Sequence, residues 1–598
     1  MFRKPDRLFF YFDPFLVILI VLPVLMFMFL LVAPLASVIY AASLYNPAYL
    51  LNDPTYFDLK PKSNLLTASS VVFRGRQVTV FKITGISFSA VVNSILNGLV
   101  VTFAASVIGV IVAFIFARYD FKGKQALRIL ATVPLLQTPF INSFVIRKLF
   151  DWRDGIVSWL ICDVLGLPIR LGITELAGVA VAQIMTFYPL VYLNVYASMV
   201  NIDPSLEEQA ENLGAKSLRL FRTVTLPLSL PGLAAGAALV FIFSLEDVAA
   251  PIVFNEHRLI SYQVFNRFIE ATTGQLSPAA AQLAVILLML ALVIFTIIRK
   301  YVTLKQYAML SRGGRWKPRV TRLGLKGKLA VYTALTPLLV FSAFPQLAVF
   351  AYAFAERWTG PLPEGFTLEH LGSMVSDPLV SRAILNSLTY SLFALLLIAF
   401  IGVSAPYVIA RFRGLELLDL LVTSPVAIPG LVLAVGYFYF FSSFFRGSIL
   451  DPISSGPSAL LVLAYAIRRL PFTARAVFAG LQQIHIALEE ASLNLGAGRF
   501  KTLINIVLPL IGLSLLSGVM VSFVYCMSET STSVTLGGLG GMGERHSAPI
   551  TYIMMDYLER VGGPYIVASL GVLLITTQLF VITLVNVVFK QRYAYIGV

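Results

Sequence analysis

Long apolar runs alternate with short polar segments along the whole chain. A helix needs about 20 apolar residues to cross the hydrocarbon of a bilayer. Runs near 15–40, 92–116, 129–149, 176–199, 232–254, 280–298, 329–354, 382–409, 419–445, 457–480, 510–528 and 564–589 therefore predict twelve spans. A β-barrel would show short alternating strands instead. The third run contains Pro134, Gln137, Pro139 and Asn142. It predicts a broken span or a cavity wall, because irregular backbone at membrane depth must be shielded from lipid. The first run is too long for the apolar core of a cleavable signal, and none is expected.

Only 13% of the 598 residues are charged, against about a quarter in soluble domains. The net charge of +15 belongs to topology rather than to nucleic acid, since short cytoplasmic loops hold Lys and Arg. Arg3, Lys4 and Arg7, then Arg118, Lys122, Lys124 and Arg128, then the segment 299–328 with ten basic residues and no acidic one, all fall on one side if twelve spans alternate. That side is cytoplasmic, and both termini are expected there. Segment 355–381 opposes Glu356, Glu364, Glu369 and Asp377 to Arg357 on the other side. The outer segment 41–90 is basic, which long loops tolerate. Cys162 and Cys526 are too few for a disulfide framework and read as inert apolar side chains.

A polar segment occurs twice. Residues 207–215 read Glu-Glu-Gln-Ala-Glu-Asn-Leu-Gly-Ala, with Leu226-Pro227 downstream; residues 489–497 read Glu-Glu-Ala-Ser-Leu-Asn-Leu-Gly-Ala, with Leu508-Pro509 downstream. The offset is 282 for both the glycines and the prolines. Further matches pair Asn93-Ser94 with Asn386-Ser387, Gly109 with Gly402 and Ala117-Arg118-Tyr119 with Ala410-Arg411-Phe412, at offset 293. Both copies follow an even-numbered span, so the halves are parallel repeats with a substrate path expected between them. Asp203-Pro204 suits a helix start. Glu207 and Glu208 favour the positive end of the helix dipole, and Gly214 can end the helix with a positive φ. The second copy, ending at Gly496, lacks the Asp-Pro entry. Such a helix suits docking in a partner's groove or lying on lipid. Two copies at one internal spacing favour docking.

The pattern Glu-Glu-x-Ala-x-x-Leu-Gly-Ala, with proline thirteen residues after the glycine, resembles the EAA loop of binding-protein-dependent ABC importer permeases. The fused layout resembles the ferric-iron permeases and their relatives for thiamine, phosphonate and polyamines. The resemblance implies an all-α membrane protein of type I, MetI-like fold with two tandem pseudo-symmetric six-helix halves. These would span 1–298, with a loop near 203–231, and 329–598, with a loop near 485–513, joined by a basic cytoplasmic linker over 299–328. It also implies two copies of a cytoplasmic ATPase that hold the ATP and Mg, an extracytoplasmic substrate-binding protein, and no cofactor on this chain. The coupling residues carried over are Glu207, Glu208, Ala210, Gly214, Ala215 and Pro227, then Glu489, Glu490, Ala491, Gly496, Ala497 and Pro509. Gln209 and Ser492 depart from the pattern.

No Gly-x-x-x-x-Gly-Lys-Ser/Thr loop is present, and His257, His370, His485 and His546 are scattered. The chain reads as a permease of the plasma membrane with no catalytic or metal site of its own. Glu246, Asp247 and Glu529 close apolar runs at comparable places in the two halves. They read either as an acidic vestibule for a cationic substrate or as markers of helix ends. Gln137-Thr138 and Ser528 to Ser533 are further cavity candidates, and Gly537 to Gly543 reads as a flexible outer loop. Ferric iron is the favoured substrate. The alternatives are the same class of permease for thiamine, phosphonate or polyamine and, less favoured, an ion-gradient-driven carrier, which a shortage of charges in mid-membrane disfavours.

Overall fold

A computed structural model describes residues 13–136, 140–216, 218–272, 278–306, 320–412, 414–539 and 545–585. Among these, nine helices are long and apolar enough to cross a bilayer, from Pro14–Ser43 to Gly563–Thr583. The other three expected spans differ in kind. The run near 457–480 is the helix Ser458–Gln483, which carries Arg468, Arg469 and Arg475. The run near 129–149 is broken, as Pro134 suggested, into Lys124–Thr132, a tight turn at Val133–Leu135 and Ile141–Leu149. The run near 419–445 is broken too: Glu416–Val426 and Gly430–Phe444 meet at 105°. Pro425 and Pro429 flank that bend, and proline both withholds an N–H and crowds the preceding turn. The fifth span also needs correction. It begins at Leu218 and ends at Glu246, and the chain then turns into a separate short helix, Ala249–Phe254.

Proline shapes the straight spans as well. Widened π turns at Met28–Val32, Phe221–Thr225, Val331–Leu335 and Leu503–Val507 each end directly before an Ala-Pro, Leu-Pro or Thr-Pro step. The extra residue in a π turn relieves the clash between a proline ring and the carbonyl four residues back. Pro227 and Pro509 thus mark equivalent bulges just beyond the two repeated segments.

The first helix of each sequence half packs on the other half. Tyr437 donates to the Leu30 carbonyl at 2.8 Å, and Phe15 meets Phe500 edge-on at 5.3 Å. In return, Tyr188 shares a 3.0 Å hydrogen bond with Ser342, and Leu339 is buried with Val101 and Val191. The halves are therefore interlocked rather than laid side by side.

A second symmetric device holds the inner helices. Ser94 accepts from the Ile260 N–H and Ser387 from the Ile550 N–H, both at 2.8 Å. Asn93 donates to the Arg258 carbonyl at 2.9 Å, and Asn386 donates to the His546 and Ala548 carbonyls at 2.7 and 3.1 Å. The repeated Asn-Ser pair holds the starts of helices Ile260–Thr272 and Ile550–Leu558: the serine supplies the acceptor that the first N–H lacks, and the asparagine donates to carbonyls just ahead of the helix.

Outside the helical core, the segment expected as a plain loop forms a hairpin, Leu66–Phe73 with Arg76–Ile83, extended in parallel by Ile169–Ile173. Arg74-Gly75, both at positive φ, make the two-residue turn such hairpins favour. The basic linker is shorter than expected: helix Pro278–Gln306 runs into it and helix Leu325–Ala330 starts inside it. Its middle, 307–319, lies outside the described residues, as do Gln137-Thr138 and residues 540–543 of the glycine-rich segment. Cys162 and Cys526 are buried and free.

Candidate functional site

The two repeated segments fold alike. Helix Pro204–Asn212 starts at Asp203, whose side chain accepts from the Ser205 N–H at 2.9 Å. Helix Ala487–Asn494 has His485 in the place of Asp203, and its Nδ1 accepts from the Ala487 N–H at 3.3 Å. Each ends in a left-handed glycine, Gly214 at φ +88° and Gly496 at φ +86°. The Ala215 N–H reaches back to the Ala210 carbonyl and the Ala497 N–H to the Ser492 carbonyl, at 2.9 and 3.1 Å. This six-to-one bond closes a helix whose C′ residue is left-handed.

The first glutamate of each copy turns inward. Glu207 accepts from Arg118 and from Thr225, both at 2.8 Å. Glu489 accepts from Arg411 at 2.8 Å and from Tyr407 at 3.1 Å. Both carboxylates are buried, so among the coupling residues carried over they face the membrane domain rather than solvent. Arg118 and Arg411 end the helices Ala90–Arg118 and Pro378–Arg411, so each pair pins a repeated segment to its own half. Ser492 is also inward, bonded to Thr502 at 2.9 Å; it occupies the position of half-buried Ala210. Glu208, Gln209, Glu490 and Ala491 are exposed, and Ala215 and Ala497 are half-buried. The sequence reading missed Leu213 and Leu495, each 89% exposed beside its glycine. An apolar residue inside a polar segment, repeated at the same offset, was the available signal.

The three pathway candidates meet in one cluster, Glu529 buried and Glu246 and Asp247 half-buried. Glu246 accepts from Arg468 at 2.9 and 3.3 Å and from the Gly430 N–H at 2.8 Å. Glu529 accepts from Arg468 and Arg469 and from the Thr532 hydroxyl, the last at 3.1 Å. Asp247 accepts from Gln183 at 3.0 Å and from the Ala249 and Ala250 N–H groups at 3.0 and 3.4 Å. Gln183 is oriented in turn by Asn97 at 2.8 Å and Ser244 at 2.7 Å. These groups border a cavity of about 140 Å³ between the halves. The reading of a free acidic vestibule is thereby corrected: its carboxylates are matched by guanidinium groups or N–H donors. The expected shortage of mid-membrane charge is corrected as well. Two adjacent arginines in an apolar span were the signal, since intramembrane charge marks function by default.

The cluster is asymmetric. Pro189 and Pro471 stand at offset 282, so Arg468 and Arg469 occupy the positions of Thr186 and Phe187. Thr186 and Phe187 line the same cavity. Among the described residues, no group of three or more His, Cys, Asp or Glu is arranged to hold a metal ion.

The family described as binding-protein-dependent transport system inner membrane component matches residues 105–305 and 402–594. The ferric transport system permease protein FbpB 1 of Haemophilus influenzae is 27% identical over 75% of this chain and 71% of its own length. The ferric transport system permease protein FbpB of Actinobacillus pleuropneumoniae is also 27% identical, over 75% of this chain and 65% of its own. A solved bacterial ABC transporter importing the acidic polysaccharide alginate covers 44% of this chain and 95% of its own at 14% identity and TM-score 0.31, a likeness too low to carry an argument.

Proposed function

This chain belongs to the family of binding-protein-dependent transport system inner membrane components, and from that premise we propose that it transmits the work of a cytoplasmic ATPase to the pathway between its halves. It is a multi-pass membrane permease subunit of the ABC importer class and performs no catalysis itself. The segments 204–215 and 487–497 are its two docking points, and they call for two ATPase copies. A substrate-binding protein delivers the cargo on the opposite face, and both termini lie on the ATPase side. An Asp13–Arg499 contact of 3.0 Å, beside the second segment, supports that placing of the first span's start.

One observation carries the reading. Two helices at a common offset each present a leucine at the tip while a buried Glu–Arg pair ties the helix base to the membrane domain. A rigid anchor and an exposed apolar knob are what helix-in-groove docking requires.

Ferric iron is the proposed cargo. Support comes from the two ferric permeases that resemble the chain over three quarters of its length; the cluster adds none, because Arg468 and Arg469 pair with Glu246 and Glu529, and Asp247 is held by Gln183 and backbone N–H groups. Thiamine, phosphonate and polyamine are the alternative cargoes. No observation favours an ion-gradient-driven carrier. The test is the double variant Leu213→Glu/Leu495→Glu. It inserts normally, no longer co-purifies with its ATPase and loses uptake of ferric iron. Intact ATPase binding in that variant would refute the docking role.

A further inference from the structure

We propose that Arg468 and Glu246 form a charged gate across the pathway, engaged in this conformation and released when the two halves part. The proposal rests on the importer reading above. Glu246 belongs to the first half, yet the hydrogen bonds to its carboxylate come from the second: Arg468 at 2.9 and 3.3 Å and the Gly430 N–H at 2.8 Å. Arg468 differs, because it also holds Glu529 within its own half. Separation therefore leaves Arg468 with a partner and strips Glu246 of these bonds. A buried carboxylate without partners is costly, so Glu246 is stable either paired and dry or unpaired and hydrated. Intermediate separations satisfy neither condition, which gives the contact two discrete states.

Each gate residue sits on a helix joined to a docking segment. Glu246 ends the continuous helix Leu218–Glu246, which starts four residues after Gly214. Arg468 lies on Ser458–Gln483, which is followed almost at once by Ala487–Asn494. Movement of either docking helix thus pulls on one side of the gate through a single rigid element. Gly430 completes the device: a Cβ there would strike the Arg468 guanidinium, so only glycine lets that side chain lie across the helix start. The first-half counterparts of the arginines are Thr186 and Phe187, so the gate is built once rather than twice.

The test uses Glu246→Cys/Arg468→Cys in a Cys162→Ser/Cys526→Ser background, in proteoliposomes with the ATPase and binding protein. A reversible bis-methanethiosulfonate should bridge the pair without nucleotide. Yield should fall about fivefold, the low end of typical coupling between sites, in the ATP–vanadate-trapped complex. Bridging should arrest ATP hydrolysis, and dithiothreitol should restore it. As a milder variant, Glu246→Gln should raise hydrolysis without binding protein by about fivefold. Equal bridging in both states with hydrolysis unaffected, or wild-type hydrolysis in Glu246→Gln, would overturn the gate. Failure of the ATPase to co-purify with the wild-type chain would instead remove the importer reading, and the gate with it.

Discussion

The Arg118 guanidinium lies 2.8 Å from the Glu207 carboxylate, with both side chains at most 9% exposed. Arg411 and Glu489 repeat the contact at 2.7 Å. A buried ion pair adds little net stability, but removing one partner leaves an uncompensated charge. That property makes the pair an anchor: it transmits force and fails sharply when half of it is lost.

Arg118→Ala should therefore loosen the first repeated segment at a cost of about 3–5 kcal/mol. Hydrogen exchange should rise across residues 204–215 and stay unchanged across 487–497, while uptake falls. Arg411→Ala should give the mirror result. Uniform protection of both segments in either variant would contradict the anchoring role.

Gly214 and Gly496 separate strain from docking. Nothing lies within 4 Å of a Cβ placed at either residue, yet both sit at positive φ. Alanine should cost about 1–2 kcal/mol through backbone strain alone, and asparagine, which visits that region more readily, should cost less. Thermal melting of the isolated chain ranks the two. If Gly214→Asn melts as wild type but binds the ATPase more weakly, close approach of the partner is the remaining requirement.

Ser94→Ala and Ser387→Ala test the pseudo-symmetry quantitatively. Each strands a buried backbone N–H, of Ile260 or Ile550, at about 1–3 kcal/mol. The two variants should lower the melting temperature by similar amounts. A large difference would show that the halves do not rely on equivalent caps.

Gly436→Val probes the exchange of first helices. A Cβ at Gly436 would sit 2.7 Å from the Pro34 carbonyl oxygen, so valine must push the first span off the second half. Thiol accessibility of Ser37→Cys, whose parent hydroxyl is 3.3 Å from the Gly436 carbonyl, should increase. Unchanged accessibility would argue against the swapped packing.

Much of this was legible in the chain, for identifiable reasons. The repeated segments stand out because a short polar pattern carries its own helix start, glycine and spacing. Copies at one offset also exclude chance more firmly than either copy alone. Pro134 announced one broken span through local backbone chemistry; Pro425 and Pro429 carried the same signal for the second. The hairpin was legible in principle at Arg74-Gly75. Partnership across long sequence distances was not legible. That Glu207 faces Arg118, that Glu246 faces Arg468, and that the first helices trade places all depend on packing between segments tens to hundreds of residues apart. Periodicity carries no information about that packing.

The central claim is that the two repeated segments face the cell interior and seat the ATPase. Thiol crosslinking from Leu213→Cys and from Leu495→Cys to the co-expressed ATPase, in intact inverted membrane vesicles, tests it most directly. The account predicts a crosslinked product from each position, with equal labelling of both by a membrane-impermeant maleimide added to inverted vesicles. Labelling of either position only in right-side-out cells, or no ATPase adduct from one of the two, would contradict it.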